Sequence, residues 1–265
     1  MHKPLRIAAV AAACAVAGAA LYGAGAATAG QDTANSTHEP YNIGLLVKDI
    51  DTYYGTTADA NGVYQASPTS PYAKDLAAID KAARKYIDQA ARKARHHGEK
   101  PAVVFDIDDT LLLSLDYEKK TNYTYNSATW AEYVARADRP AVFGSPELVQ
   151  YAKSKGVEVF YNSGLKESQR VSAVENLKKI GADVNLDAGH MFLKDAANPP
   201  SYLSACATAN NWTCTTVQYK AGTRKHIEQD LGYEIIANFG DQYSDLEGGY
   251  ADRKYKLPNP TYFVS

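Results

Sequence analysis

The chain of 265 residues carries 28 Lys and Arg against 30 Asp and Glu, with 45% hydrophobic and 22% charged residues. That length can bury the core of one domain, or at most two, and the composition excludes a disordered, collagenous or multi-spanning membrane chain. A formal net charge of −2 leaves no electrostatic footprint for nucleic acid.

Lys3 and Arg6 precede an Ala-rich apolar run from Ile7 that ends at Ala27-Thr28-Ala29. This is the pattern of a secretory signal peptide over residues 1–29. Gly18, Gly23 and Gly25 interrupt the run, so it reads as a cleaved leader of a secreted protein, with no stable membrane span after its removal. Cleavage takes Cys14 away and leaves Cys206 and Cys214, eight positions apart in a polar loop. In an oxidising compartment that pair is expected to form a disulfide, with two free thiols or a metal pair as the alternative.

Residues 30–71 are polar apart from Ile43 to Val47 and read as an extended N-terminal arm; the main domain is expected over residues 72–265. Ser70-Pro71 opens a long helix to about His96, with Leu76, Ile79, Ala83, Tyr86, Ala90 and Ala94 at helical spacing and Gly98 as its stop. Ala102 to Asp106 is a short apolar run without polar alternation, as expected of a strand buried on both faces. Ser145-Pro146 reads as the cap and first turn of a helix stopped by Gly156. Val157 to Tyr161 is a second strand, and Glu167 to Ile180 a helix. His190 to Leu193 and Thr216 to Tyr219 read as further strands, Thr223 to Leu231 as a helix and Tyr233 to Phe239 as a last strand. This alternation predicts an α/β fold, a three-layer doubly wound parallel sheet with helices on both faces, a helical N-terminal extension and a small cap insertion over about 114–144. In such sheets ligands sit beyond the carboxyl ends of the strands.

Acids gather at two of those ends. Asp106, Asp108 and Asp109 follow the first strand, and Asp241 and Asp245 follow the last. Residues two apart on an extended chain point the same way, which gives Asp106 and Asp108 a common side. If the two ends converge, a repulsive carboxylate pair at about 4 Å costs about 4 kcal/mol at an effective dielectric near 20. A hard divalent cation offsets that, and oxygen donors without His or Cys favour Mg²⁺. Each cluster alone reads equally well as a solvated turn or a helix cap.

Together these residues resemble the haloacid-dehalogenase-like (HAD) phosphohydrolase superfamily. Asp106-Ile107-Asp108-Asp109-Thr110 is similar to its D-x-D-x-T motif, Ser163 to its second motif and Lys220 to its third. Gly240-Asp241 to Asp245 is similar to its G-D-x-x-x-D. Tyr219-Lys220 with Arg224, and Asn238 to Asp241, look most like the secreted acid phosphatase branch, which includes bacterial class C acid phosphatases and plant vegetative storage proteins. The resemblance covers residues 70 to 265 and implies a HAD-like Rossmannoid fold.

It further implies a Mg²⁺-dependent acid phosphatase that hydrolyses small phosphomonoesters, nucleotides among them, through an aspartyl-phosphate. Asp106 is then the nucleophile and Asp108 the general acid and base. Ser163, Gly164 and Lys220 contact the phosphoryl group. Asp106, Asp108 (through its carbonyl), Asp241 and Asp245 surround the metal. Where many relatives have Arg after the second-motif Gly, this chain has Leu165, which removes a positive contact with the substrate. Tyr117, Tyr123, Tyr125, Trp130 and Tyr133 read as packing and rim residues, with stacking on an aromatic leaving group as the alternative. Arg224 and Lys225 read as a solvated helix face. Phosphoryl transfer to an alcohol on the same site, or a secreted storage or binding protein without activity, are the competing functions.

Overall fold

The computed structural model describes residues 40–265, so the expected signal peptide and the first part of the arm lie outside the described residues. Asn42–Ser265 forms one unit. It begins with a helix where the sequence reads as extended arm: α1 (Ile43–Tyr54), capped by the Asn42 side chain on the Gly44 and Leu45 amides. The helix forms because Ile50 and Tyr54 lie four apart, share one face and are buried. Tyr54 packs on Tyr72, with ring centroids 4.5 Å apart. A short antiparallel ladder of β1 (Thr57–Ala58) and β2 (Tyr64–Gln65) leads to α2 (Pro71–His96). Its N-cap is Ser70, as the sequence indicates.

The central sheet comprises β3 (Lys100–Phe105), β4 (Glu158–Lys166), β5 (Met191–Lys194), β8 (Tyr233–Gly240) and β9 (Lys254–Lys256). Their order across the sheet is β5-β4-β3-β8-β9, and every pairing is parallel. Strand β3 is central and buried from Pro101 to Phe105, which is why it shows no polar alternation. Its alternate residues serve two cores. Val103 and Phe105 join α2 residues Leu76, Ala83 and Ile87 on one face. Ala102 and Val104 join Ile227 of the helix α7 (Thr216–Gln229) on the other. Sheet and flanking helices make the three layers expected.

Between β3 and β4 lie α3 (Leu115–Lys120), α4 (Ser127–Ala135) and α5 (Ser145–Ser154). The first two occupy the expected cap segment. The N-cap of α5 is Gly144, at φ 79°, and Ser145 is its first helical residue rather than its cap. Helix α6 (Arg170–Lys179) follows β4 after a 3₁₀ turn at Glu167–Gln169.

One expected strand is absent. Thr216 to Tyr219 opens α7, because the Thr215 hydroxyl accepts from the Gln218 amide while the Gln218 side chain accepts from the Thr215 amide. That reciprocal capping box outweighs the β-branched Thr and Val residues that suggested a strand. Ahead of α7, β6 (Ala207–Thr208) and β7 (Asn211–Trp212) form a hairpin closed by the Cys206–Cys214 disulfide. A four-residue helix, α8 (Tyr243–Leu246), follows β8, and β9 adds an edge strand that the sequence reading missed.

Candidate active site

Parallel register brings the acids together. Phe105 pairs with Phe239 and with Tyr161, so Asp106 after β3, Asp241 after β8 and Asn162 to Gly164 within β4 share one end of the sheet. The Asp106 amide donates to the Phe239 carbonyl at 2.9 Å, extending the ladder by one step. Asp106, Asp241 and Asp245 are buried, and each offers a carboxylate oxygen within 4.8 Å of the others.

Asp245 reaches this place over Gly240. A Cβ on Gly240 would lie 2.4 Å from the Asp245 Cβ, so no other residue fits there without displacement. The Gln242 amide donates to Asp245 Oδ2 at 3.0 Å. Asp241 Oδ2 accepts from Asn259 at 2.7 Å and from Gln242 at 2.8 Å. Neither Asn259 nor Gln242 stood out in the sequence, since a lone amide side chain carries no spacing signal.

Lys220, on the second turn of α7, is buried against these acids. Its Nζ lies 2.5 Å from Asp106 Oδ1 and 3.0 Å from Asp245 Oδ1, and also donates to the Asn162 carbonyl. Burial by itself pushes the ammonium towards neutrality, but the Asp106 and Asp245 carboxylates outweigh it and hold Lys220 above the ordinary lysine range. Burial, with the charges of Asp245 and Asp109, pushes the Asp241 carboxyl up to about 7. Among the described residues, Lys220 is therefore the one cation within ion-pair distance of this trio of buried carboxylates. Their donors are all hard oxygens, and the deficit of positive charge is what a divalent cation supplies. The donor set fits a metal.

The other expected residues take different positions. Asp108 lines the cavity, and Arg139 of the cap segment donates to its Oδ1 at 2.5 Å. Sequence reading passed over Arg139, whose position 31 residues away gives no local signal. Gly164 is on the cavity wall, whereas Ser163 beside it is fully buried and its Oγ accepts from the Leu165 amide at 3.2 Å. Asp109, at φ 53°, accepts from the Ser114 amide at 2.9 Å and shapes the turn after the strand. Arg224 is not on a solvated face. It is fully buried, and its guanidinium donates to the carbonyls of Asp245 (2.5 Å), Glu247 and Gly249 (2.9 Å). It fastens the loop that carries Asp245.

The acids form the floor of a cavity of about 480 Å³. Its walls come from three separate stretches: Glu118, Tyr123, Tyr125 and Trp130 of the cap, Trp212 and Cys214 of the hairpin, and Tyr262 to Val264 of the C-terminal tail. Burial, with the charge of Asp109, raises the Glu118 carboxyl to about 8. The tail is held by the Val264 amide on Gln242 Oε1 (3.2 Å) and by Ser244 Oγ on the Val264 carbonyl (3.0 Å).

A family model described as HAD superfamily, subfamily IIIB (acid phosphatase), matches residues 49–265. The chain belongs to this family. Among relatives of the HAD subfamily IIIB chain, the stem 28 kDa glycoprotein of Glycine max is 34% identical over 173 residues, covering 62% of this chain and 61% of the relative. Acid phosphatase 1 of Solanum lycopersicum is 31% identical over 165 residues (61% and 58%). Vegetative storage protein 1 of Arabidopsis thaliana is 33% identical over 165 residues (61% and 54%). The chain thus spans about three fifths of the length of the curated relatives it matches. In fold it is similar to the class C acid phosphatase from Bacillus anthracis, at a TM-score of 0.52 and 22% identity, covering 70% of this chain and 78% of that one.

Proposed function

We propose that this HAD subfamily IIIB chain is a secreted, Mg²⁺-dependent acid phosphatase that hydrolyses phosphomonoesters through an aspartyl-phosphate. The observation that carries the reading is the buried set of Asp106, Asp241 and Asp245 with Lys220 at 2.5 Å from Asp106. Family membership supports the reaction class. The leader pattern at Ala27-Thr28-Ala29 and the Cys206–Cys214 disulfide support export.

In this mechanism an Asp106 carboxylate oxygen attacks phosphorus as the bond to the leaving oxygen breaks, and that oxygen takes a proton from Asp108. Water then attacks the aspartyl-phosphate. Asp108 takes the water proton, the bond from Asp106 to phosphorus breaks, and phosphate departs. The Lys220 ammonium stands where negative charge gathers on the transferring group. Gly164, which lines the cavity from within β4, takes a phosphoryl oxygen, and Ser163, buried beside it, is the motif residue that would take another. Asp106, Asp241, Asp245 and the Asp108 carbonyl would hold Mg²⁺, which neutralises phosphoryl charge when bound. Tyr125, Trp130 and Trp212 on the cavity wall suit a planar leaving group such as a nucleoside, since stacking on one base is worth about 1–3 kcal/mol.

A panel of phosphomonoesters, including 5′-nucleotides and sugar phosphates, assayed with Mg²⁺ and with chelator, tests the reading. Turnover that needs Mg²⁺ and disappears in Asp106→Asn is expected. Full activity in that variant rejects the mechanism. Transfer to added alcohol in place of water would make the chain a phosphotransferase, and no turnover of any ester would leave a storage or binding protein.

A further inference from the structure

Arg139 is an uncommon guanidinium: it is 2% exposed, and its Nη1 donates to Asp108 Oδ1 at 2.5 Å. Its Nε and Nη2 are buried with no hydrogen-bond partner among the described residues. Among the described residues Asp108 is therefore the one acceptor of this buried cation. Leaving such a charge without a partner is costly, so the contact is held firmly. The guanidinium also lies 5.5 Å from the Trp130 ring centroid, a cation–π distance.

The backbone around Arg139 is fixed before the side chain acts. Its amide donates to Asn176 Oδ1 at 3.0 Å, and Asn176 Nδ2 donates back to its carbonyl at 2.9 Å. Next along the chain, the Leu113 amide donates to the Pro140 carbonyl and the Val142 amide to the Leu111 carbonyl, at 2.8 and 2.9 Å. The segment carrying Arg139 is thus laced to the segment that follows Asp108. Asp108 itself is the partly open member of the acid group, with 19% of its side chain exposed. Its Oδ2 takes no hydrogen bond from the described residues, while Oδ1 is committed to Arg139.

We propose that Arg139 is a positioning residue that clamps Asp108 through Oδ1 and so assigns proton transfer to Oδ2. This rests on the acid–base role given to Asp108 above. The leaving oxygen takes its proton from Oδ2 as its bond to phosphorus breaks. In the second step Oδ2 takes the proton of the attacking water, which restores the starting state. A carboxylate free to rotate would present either oxygen at variable distance, and misplacement of about 1 Å can cost about a hundredfold in rate.

The test compares leaving groups. Help from a general acid matters most for an alkoxide that leaves poorly and least for p-nitrophenolate. Arg139→Gln is expected to lower kcat/KM for glycerol 2-phosphate at least about tenfold more than for p-nitrophenyl phosphate. Arg139→Lys is expected to recover part of that difference. Inhibition by inorganic phosphate should stay within about twofold of the starting protein, because the clamp touches Asp108 and not the phosphoryl group.

Equal losses on both esters, or weakened inhibition by phosphate, overturn the proposal in favour of a structural or phosphate-binding role. Should Arg139→Gln fail to give a cooperative melt, Arg139→Lys decides: an unchanged ratio between the two esters overturns the clamp. Asp108→Asn separates the two levels. If it leaves glycerol 2-phosphate turnover intact, the acid–base assignment fails. If it abolishes that turnover while the Arg139 variants keep the original ratio, only the clamp fails.

Discussion

Phe105 and Phe239 face each other across β3 and β8, their rings stacked at 4.5 Å and 9°. Tyr255 of β9 stacks on Phe239 in turn, at 4.9 Å and 9°. This aromatic ladder locks the register one residue before Asp106 and two before Asp241. A slip of one residue would turn every side chain of a strand to the other face and carry Asp106 away from Asp241. The site's geometry is thus set by packing in the sheet, and the acids inherit it.

Gly240 has no room for a methyl group beneath Asp245. Gly240→Ala is expected to cost about 1–3 kcal/mol by overpacking and to displace Asp245. Urea denaturation reads the first effect, and loss of ester turnover at a temperature where the variant stays folded reads the second. A variant as stable and as active as the starting protein would contradict the close approach.

A cation bound among Asp106, Asp241 and Asp245 should stabilise the fold by mass action, by about 2.7 kcal/mol at a hundredfold excess over its dissociation constant. Thermal melting with and without Mg²⁺ measures this. Asp241→Asn is expected to keep a cooperative melt and lose most of the Mg²⁺ response. An equal Mg²⁺ shift in that variant places the ion elsewhere.

The Glu118 carboxyl titrates near 8 in the folded chain, raised by burial and by Asp109, against about 4.3 in an unfolded chain. Its protonated form is therefore favoured by folding. The stability it confers is full below about pH 4.3 and is lost as pH rises towards 8. Each pH unit between the two titrations is worth about 1.4 kcal/mol. Glu118→Gln should match the starting protein near pH 4 and exceed it in Tm by a margin that widens up to pH 8. A margin that stays flat from pH 4 to 9 contradicts this.

The ring closed by Cys206–Cys214 spans eight positions, so its loss should destabilise the chain by roughly 2–3 kcal/mol through loop entropy. The hairpin also holds Trp212 on the cavity wall. The double variant Cys206→Ala, Cys214→Ala is expected to raise KM for aryl phosphates more than for alkyl phosphates. Parallel changes in both would remove Trp212 from substrate contact.

Much of the layered fold was legible because β3 is buried on both faces and its neighbours alternate with helices at regular spacing. The acids stood out because Asp is a poor residue for a strand end unless something there needs it. Two kinds of feature stayed hidden. Thr216 to Tyr219 looked like a strand because β-branched residues mask a capping box that depends on Thr215 and Gln218 together. Arg224 looked solvated because its acceptors are backbone carbonyls, which leave no mark in a sequence. Arg139, Asn176 and Asn259 act across long separations, and only the folded chain shows their partners.

The floor and the walls of the cavity come from different elements. Strand ends and α7 supply the charged floor, while a cap helix, a hairpin and the tail supply the walls. Among the described residues Tyr125 and Trp212 make no hydrogen bond to a floor carboxylate, so they can be exchanged without moving one, whereas the tail is tied to Asp241 through Val264 and Gln242. For the phosphatase proposed above, new ester preferences are open by drift at Tyr125 and Trp212, with the chemistry below left undisturbed.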